Sequence, residues 1–258
     1  EDFDYLKELG YPGEYPYTRG IHPTMYRGRI WSSRNGCGFG SPADGNARLK
    51  YLLDAGMTAT NTILDKPSHD GYDSDDPLCE GYVGVDGTVI DTLKDMEDLF
   101  DGIPLDKISF HFNVVAPAAV ILAMYIVMAE KRDIPKEKLR GSITNEPLLC
   151  SFAMKLGNYS LRPAMRVAKD IIEYSCKYLP RVSPINISPQ YIREGGGNAI
   201  QEIAFPLSIG IAHVENCIKS GMNVDEFVQS FSWNFGAHMD FFEEIAKFRA
   251  ARGVWAKI

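Results

Sequence analysis

Beyond residue 40 the hydrophobic positions alternate between two patterns. Short runs rich in β-branched and aromatic residues cover 57–64, 108–115, 139–144, 184–188 and 227–235, and read as strands. Longer stretches near 46–55, 89–99, 117–132, 163–178, 198–220 and 238–256 read as helices. Asp101-Gly102, Pro135 and Gly221 supply turn signals between several of them. Strands alternating with helices are the pattern of βα units on a parallel sheet, so the expected fold class is α/β. Five such units are a partial count for an eight-stranded (β/α) barrel of the TIM type, which takes about 250 residues by itself. A self-contained five-strand variant satisfies the same pattern. The sequence shows neither an internal repeat nor a low-complexity tract.

The longest apolar run, 114–128, is about fifteen residues against the roughly twenty needed to span a bilayer. It also contains Pro117, and a buried helix of an α/β domain accounts for it better than a membrane span. Residues 15–40 break the alternation. They hold Tyr15, Tyr17, Tyr26, Trp31 and Phe39 together with Arg19, Arg27, Arg29 and Arg34, in a stretch too rich in glycine and proline to be one helix. Permanently charged planar donors beside flat apolar faces suit a long, narrow, partly anionic ligand such as a coenzyme A thioester. A surface arm whose arginines pair with the chain's own carboxylates fits the composition equally well.

Composition narrows the classes. The chain has 258 residues, 45% of them hydrophobic, which suits one large globular domain. A net charge of -7 argues against nucleic acid as the main partner, and the basic arm inside an acidic chain points instead to a small phosphorylated ligand. Cys37, Cys79, Cys150, Cys176 and Cys217 are widely spaced without a CxxC pair, so neither a disulfide framework nor a zinc site is expected. With an acidic opening segment in place of a signal peptide, the expected location is the cytoplasm.

Separated blocks carry a resemblance that spans essentially the whole chain. These are YPYTRG-x-x-x-TMY-x-x-R-x-W-x-x-R in the arm, HDGYDSDDP at 69–77, LFDGIPLDKIS at 99–109, GSITNE at 141–146, INISPQYIREGGGNAIQEIAF at 185–205 and FFEEIAKFRAARGVWAKI at 241–258. The sequence resembles the large, substrate-binding subunit of adenosylcobalamin-dependent acyl-CoA mutases, the methylmalonyl-CoA mutase family. Its MYRGR and NFGAHMDFFEEIAKFRAAR wording is closer to the isobutyryl-CoA and 2-hydroxyisobutyryl-CoA mutase branch. The resemblance and the length together imply the N-terminal part of the barrel over 41–258, preceded by an extended arm over 1–40. A second chain would complete the barrel, and a cobalamin-binding small subunit or domain would supply the lower cobalt ligand, for which this chain has no DxHxxG motif.

The resemblance also implies a site. Acyl-CoA contacts fall on His22, Met25, Arg29, Ser32 and Arg34 in the arm, and on Asn61, Ser142, Thr144 and Ser232 in the barrel, with Arg29 and Arg34 at the phosphorylated end. Glu194 and Gly196, in the segment matching the family's EAGA, are implied cobalamin contacts, because small residues let a flat macrocycle approach the backbone. Taken alone, the triplet Gly195-Gly196-Gly197 suggests a phosphate loop, but its spacing fits neither GxGxxG nor GxxxxGK[ST]. The acidic loop 69–76 would alone suggest a divalent metal. In the family it is a structural loop at the barrel mouth, and no metal is expected. Its two acidic residues nearest Gly71 are expected to cap backbone groups or pair with arm arginines.

Three positions depart from the methylmalonyl enzymes. The tyrosine over the substrate falls on Gly36, which is expected to enlarge the pocket. The thioester-binding histidine falls on Tyr191, the expected catalytic residue, and the arginine for the substrate's free carboxylate falls on Met154. A buried carboxylate without a counter-charge is strongly disfavoured, so a methylmalonyl substrate is not expected. Two other readings stay open at this level: a catalytically silent structural subunit, and a CoA-ester binding protein.

Overall fold

The computed structural model describes residues 2–153 and 160–258. Its helices are α1 (Tyr5–Glu8), α2 (Pro42–Asp54), α3 (Lys66–Asp70), α4 (Leu93–Leu99), α5 (Ala118–Lys131), α6 (Pro147–Ala153), α7 (Leu161–Tyr178), α8 (Gln190–Glu194), α9 (Ala199–Lys219), α10 (Val224–Phe227) and α11 (Phe241–Trp255). Its strands are β1 (Gly36–Cys37), β2 (Asn61–Ile63), β3 (Phe110–Asn113), β4 (Gly141–Ile143), β5 (Val182–Ser183), β6 (Asn186–Ile187) and β7 (Ser232–Trp233). The chain divides into two compact units, one of residues 1–31, 189–208 and 234–258, the other of 32–188 and 209–233. Residues 1–31 of the expected arm thus fall in the first unit and 32–40 in the second.

The larger unit is a parallel α/β sheet of order β1-β2-β3-β4-β5, and β6 pairs in parallel with β7. β5 and β6 are one extended run broken at Pro184, which has no N–H to donate. Beyond the break Asn186 N still donates to Thr144 O at 3.0 Å, so the run lies between β4 and β7. The sheet therefore has six strand positions with β1 and β7 at its edges, and two more would close an eight-stranded barrel.

One face of this sheet is covered by helices. Phe110 and Phe112 of β3 stack against Tyr125 of α5, with ring centroids 4.4 and 5.4 Å apart, and Phe100 joins them at 5.2 Å from Tyr125. Ile121, Leu122, Ile126, Met128 and Ala129 of α5 are also buried, which accounts for the long apolar run. Each large side chain so buried stabilises the fold by about 1.5–3 kcal/mol.

Caps set the helix boundaries. Ser41 and Thr92 both form capping boxes, with Asp44 and Asp95, so α2 starts earlier and α4 later than the hydrophobic spacing suggests. Asp240 accepts from Glu243 N and fixes the start of α11. The expected strand at 227–235 shrinks to Ser232–Trp233, because Asn223 caps α10 and a 3-10 turn, Val228–Ser230, follows it. Strand β1, inside the expected arm, has only its pairing with β2 to define it.

In the smaller unit α11 holds the arm by its backbone. Arg252 donates from Nε to Tyr17 O and from Nη2 to Thr18 O, each at 2.8 Å. Residues 15–31 form turns and one 3-10 segment, Met25–Arg27, as their glycine and proline content requires.

Candidate functional site

Residues opposed across parallel strands share a face of the sheet, and side chains alternate between faces along each strand. Gly36 lies opposite Asn61, His111 opposite Ser142, and Ser142 opposite Ser183. Thr62 opposite Phe112 puts Asn61 opposite His111. Gly36, Asn61, His111, Ser142 and Ser183 therefore form one transverse row. Phe110 and Phe112 point into the core, so the row faces away from the helices. One layer nearer the strands' C-terminal ends, Ile63 lies opposite Asn113, and Thr144 Oγ1 donates to Asn113 Oδ1 at 3.1 Å. A filled barrel interior is layered with Val, Ile and Leu. Here the row is polar, with Gly36, Asn61, His111, Ser142 and Ser183 standing where such a barrel carries aliphatic side chains.

Arg34 and Ser142, two of the residues the resemblance implies, meet in this row. Arg34 Nη1 donates to Ser142 Oγ at 3.4 Å, and His111 Nδ1 lies 2.7 Å from the same oxygen. Arg34 as a whole residue is exposed, but partial desolvation where its guanidinium meets Ser142 lowers its pKa from the ordinary value. Burial, and then the charge of Arg34, push His111 down to about 3, so its imidazole is neutral at physiological pH. Asn61 Oδ1 is buried without a hydrogen-bond partner among the described residues. Ser232 is half-buried and its hydroxyl is engaged, 2.8 Å from both Ser183 Oγ and Asn186 Nδ2 and donating to Ile185 O at 3.1 Å. Ser32 is exposed. A Cβ added at Gly36 would lie 2.9 Å from Ile63 Cδ1, so Ile63 already occupies part of the space that the missing tyrosine leaves.

The smaller unit carries the remaining implied residues. His22 and Arg29 are exposed; the His22 N–H points to Met25 Sδ at 3.5 Å. Met25 is half-buried and helps line a cleft of about 690 Å3 with Arg19, Thr24 and Arg27. Tyr191, on α8, is half-buried, and Glu194 at the end of α8 is exposed. Gly196 has φ +97, and an added Cβ would meet nothing within 4 Å. This bare, open backbone fits the approach of a flat macrocycle. Met154 lies outside the described residues.

A buried charge network sits in the same unit. Lys247 Nζ donates to Glu202 Oε2 at 2.9 Å and to Gly236 O at 2.8 Å, and lies 2.5 Å from Glu244 Oε2. Glu202 Oε1 accepts from Gly236 N at 2.9 Å, and Arg193 of α8 pairs with Glu243 at 2.9 Å. The network ties α8, α9, α11 and the turn at Gly236 together.

In the acidic loop Asp70 and Asp76 are engaged locally, and Asp70 pairs with a lysine of its own helix, Lys66, in place of the expected arm arginine. Asp76 accepts from Leu78 N at 2.9 Å, while Asp65 caps α3 and accepts from Gly84 N at 2.7 Å. Among the described residues no group of three or more His, Cys, Asp or Glu is placed to hold a metal ion.

The Methylmalonyl-CoA mutase family pattern matches residues 1–258. The chain belongs to the methylmalonyl-CoA mutase family. A 2-hydroxyisobutanoyl-CoA mutase large subunit from Aquincola tertiaricarbonis is 46% identical over 253 residues, covering 98% of this chain and 45% of that protein. A methylmalonyl-CoA mutase large subunit from Streptomyces virginiae is 40% identical over 258 residues, 100% of this chain and 35% of that protein. The human mitochondrial methylmalonyl-CoA mutase is 38% identical over 258 residues, 100% of this chain and 34% of the relative. The identities favour the hydroxyisobutanoyl branch, and the chain spans less than half the length of each relative.

Within this mutase-family fold, sequence reasoning passed over His111, Asn113, Ser183 and the Lys247 network. The run Phe-His-Phe-Asn at 110–113 holds the missed signal for the first two, since alternation with core aromatics turns both polar residues to the opposite face.

Proposed function

We propose that this chain forms the acyl-CoA-binding part of an adenosylcobalamin-dependent acyl-CoA mutase, acting on a branched thioester without a free carboxylate. The observation that carries the reading is the polar row from Gly36 to Ser183 in a layer that a packed barrel would fill with aliphatic side chains. The chain's own residues would bind and orient the thioester. Asn61, Ser142 and Thr144 face its length, Ser32 and Ser232 flank it, His22 and Met25 contact it from the arm, and Arg29 and Arg34 hold its phosphorylated end. Ile63 over Gly36 presents an apolar wall to the acyl group. Tyr191 would donate a hydrogen bond to the thioester carbonyl. Glu194 and Gly196 would hold the cobalamin face. When bound, that cofactor would supply the one-electron chemistry of the carbon-skeleton rearrangement.

The partners of this reading are a polypeptide segment that pairs with the free edges β1 and β7, and a cobalamin-binding small subunit with the lower cobalt ligand. Among the described residues no helix is long and apolar enough to cross a membrane. The cytoplasm is the location that goes with this reading. Calorimetric titration with isobutyryl-CoA and methylmalonyl-CoA tests the proposal. The branched neutral ester should bind more tightly, and Arg34→Met should weaken it. Absence of binding to any CoA ester would reject the reading.

A further inference from the structure

Arg34, Ser142 and His111 have hydrogen-bonding roles that follow from chemistry. A guanidinium only donates, so Ser142 Oγ accepts from Arg34 Nη1 at 3.4 Å. The serine has one proton to give, and His111 Nδ1 lies 2.7 Å away. If Nδ1 carried a proton instead, Ser142 Oγ would accept twice, and its own proton would have no acceptor among the described residues. The arrangement that leaves no proton stranded runs from Arg34 through the Ser142 hydroxyl to an accepting Nδ1. A neutral imidazole then carries its proton on Nε2. Donation into Nδ1 polarises the ring and strengthens Nε2–H as a donor. Asn61, opposed to His111 on the next strand, offers a buried oxygen with no donor among the described residues.

We propose that Arg34, Ser142 and His111 form a hydrogen-bond relay that fixes His111 as the Nε2–H tautomer, and that this donor and Asn61 Oδ1 together recognise the amide groups of the ligand's pantetheine arm. The recognition half rests on the acyl-CoA reading above; the relay does not. A chain bearing secondary amides supplies both a carbonyl for Nε2–H and an N–H for Asn61. The imidazole stays neutral through the physiological range because burial and the Arg34 charge both oppose its protonation. Beside its own contact with the ligand, Arg34 therefore also acts through His111, as a positioning residue for that imidazole.

Two measurements on the full chain test this. Nitrogen NMR of the 15N-histidine-labelled protein without ligand reads the tautomer. The relay predicts a protonated Nε2 and a bare Nδ1 at His111, and Ser142→Ala should turn this into a mixture. A protonated Nδ1 in the wild type overturns the relay. Titration with acetyl-pantetheine, acetyl-CoA and adenosine 3′,5′-bisphosphate then reads recognition. His111→Phe should weaken both thioesters by about tenfold, the worth of one such hydrogen bond, and leave the bisphosphate unchanged. Unchanged thioester affinity in His111→Phe overturns the recognition pair while leaving the acyl-CoA reading intact. A wild-type chain that binds no thioester overturns both, and the tautomer still decides the relay. Circular dichroism of each variant separates loss of binding from loss of fold.

Discussion

Lys247→Met is the substitution whose consequence follows most directly from the structure. The Lys247 and Glu202 side chains are both 0% exposed, and the lysine is the cation shared by Glu202 and Glu244. Methionine keeps most of the volume and removes the charge and the bonds to Glu202 and Gly236 O. Among the described residues Glu202 would retain only the Gly236 N–H, and Glu244 the His238 backbone N–H and Arg193 at 3.8 Å. Breaking one partner out of a buried ion pair costs about 3–5 kcal/mol, because the charge left behind is uncompensated. That is a large share of the roughly 5–15 kcal/mol that holds a typical domain together. Adding Glu202→Gln and Glu244→Gln removes the stranded charges while keeping an acceptor for Gly236 N, so the triple variant should recover about half of the loss. Urea unfolding followed by circular dichroism gives the three midpoints, with an unchanged slope showing that only stability has moved. A loss below about 1 kcal/mol in the single variant, or a triple variant no better than the single, would refute the account of Lys247 as a desolvated counter-ion.

His111 gives a pH signature. Its pKa is about 3 folded and roughly 6.5 unfolded, so between these values the unfolded chain binds the extra proton. Stability should therefore fall as pH drops below about 6.5, by roughly 2–3 kcal/mol at pH 4.5 from this group alone. His111→Asn should lack that part of the slope in urea titrations at each pH, and identical slopes would contradict the burial of a neutral imidazole. Gly36→Ala should cost under about 1 kcal/mol in thermal unfolding, because the one close approach of its Cβ is to the end of the flexible Ile63 side chain at 2.9 Å, with Asn61 Nδ2 at an ordinary 3.5 Å. Gly36→Tyr should lower affinity for a branched CoA thioester more than for a straight-chain one, measured by calorimetry; equal losses would mean that this position does not face the acyl group.

The parallel α/β character and the barrel-like order of elements were legible because β3 and α5 announce themselves: one alternates aromatic and polar residues, the other is apolar for over three turns. Strand β1 was not, since Gly36 and Cys37 become a strand only through pairing with β2. Residues 227–235 misled because aromatic spacing suited a strand, whereas the Asn223 cap and buried Phe227 favoured a helical turn. Arg34 and Ser142 were reachable from motif resemblance, 108 residues apart in sequence. His111 was not, because its meaning comes from neighbours on other strands. Lys247 sits on α11 among other charged residues, and nothing local separates the one that is buried from those that are solvated.

The central claim is that this chain presents an acyl-CoA to cobalamin chemistry. The direct measurement combines the chain with a cobalamin-binding small subunit, any separate segment that closes the barrel, adenosylcobalamin and branched CoA thioesters, and analyses the products by mass spectrometry and NMR. The account predicts a rearranged thioester of unchanged mass whose formation falls in Tyr191→Phe and Arg34→Met. No rearrangement of any thioester, with cobalamin demonstrably bound to the complex, would contradict it.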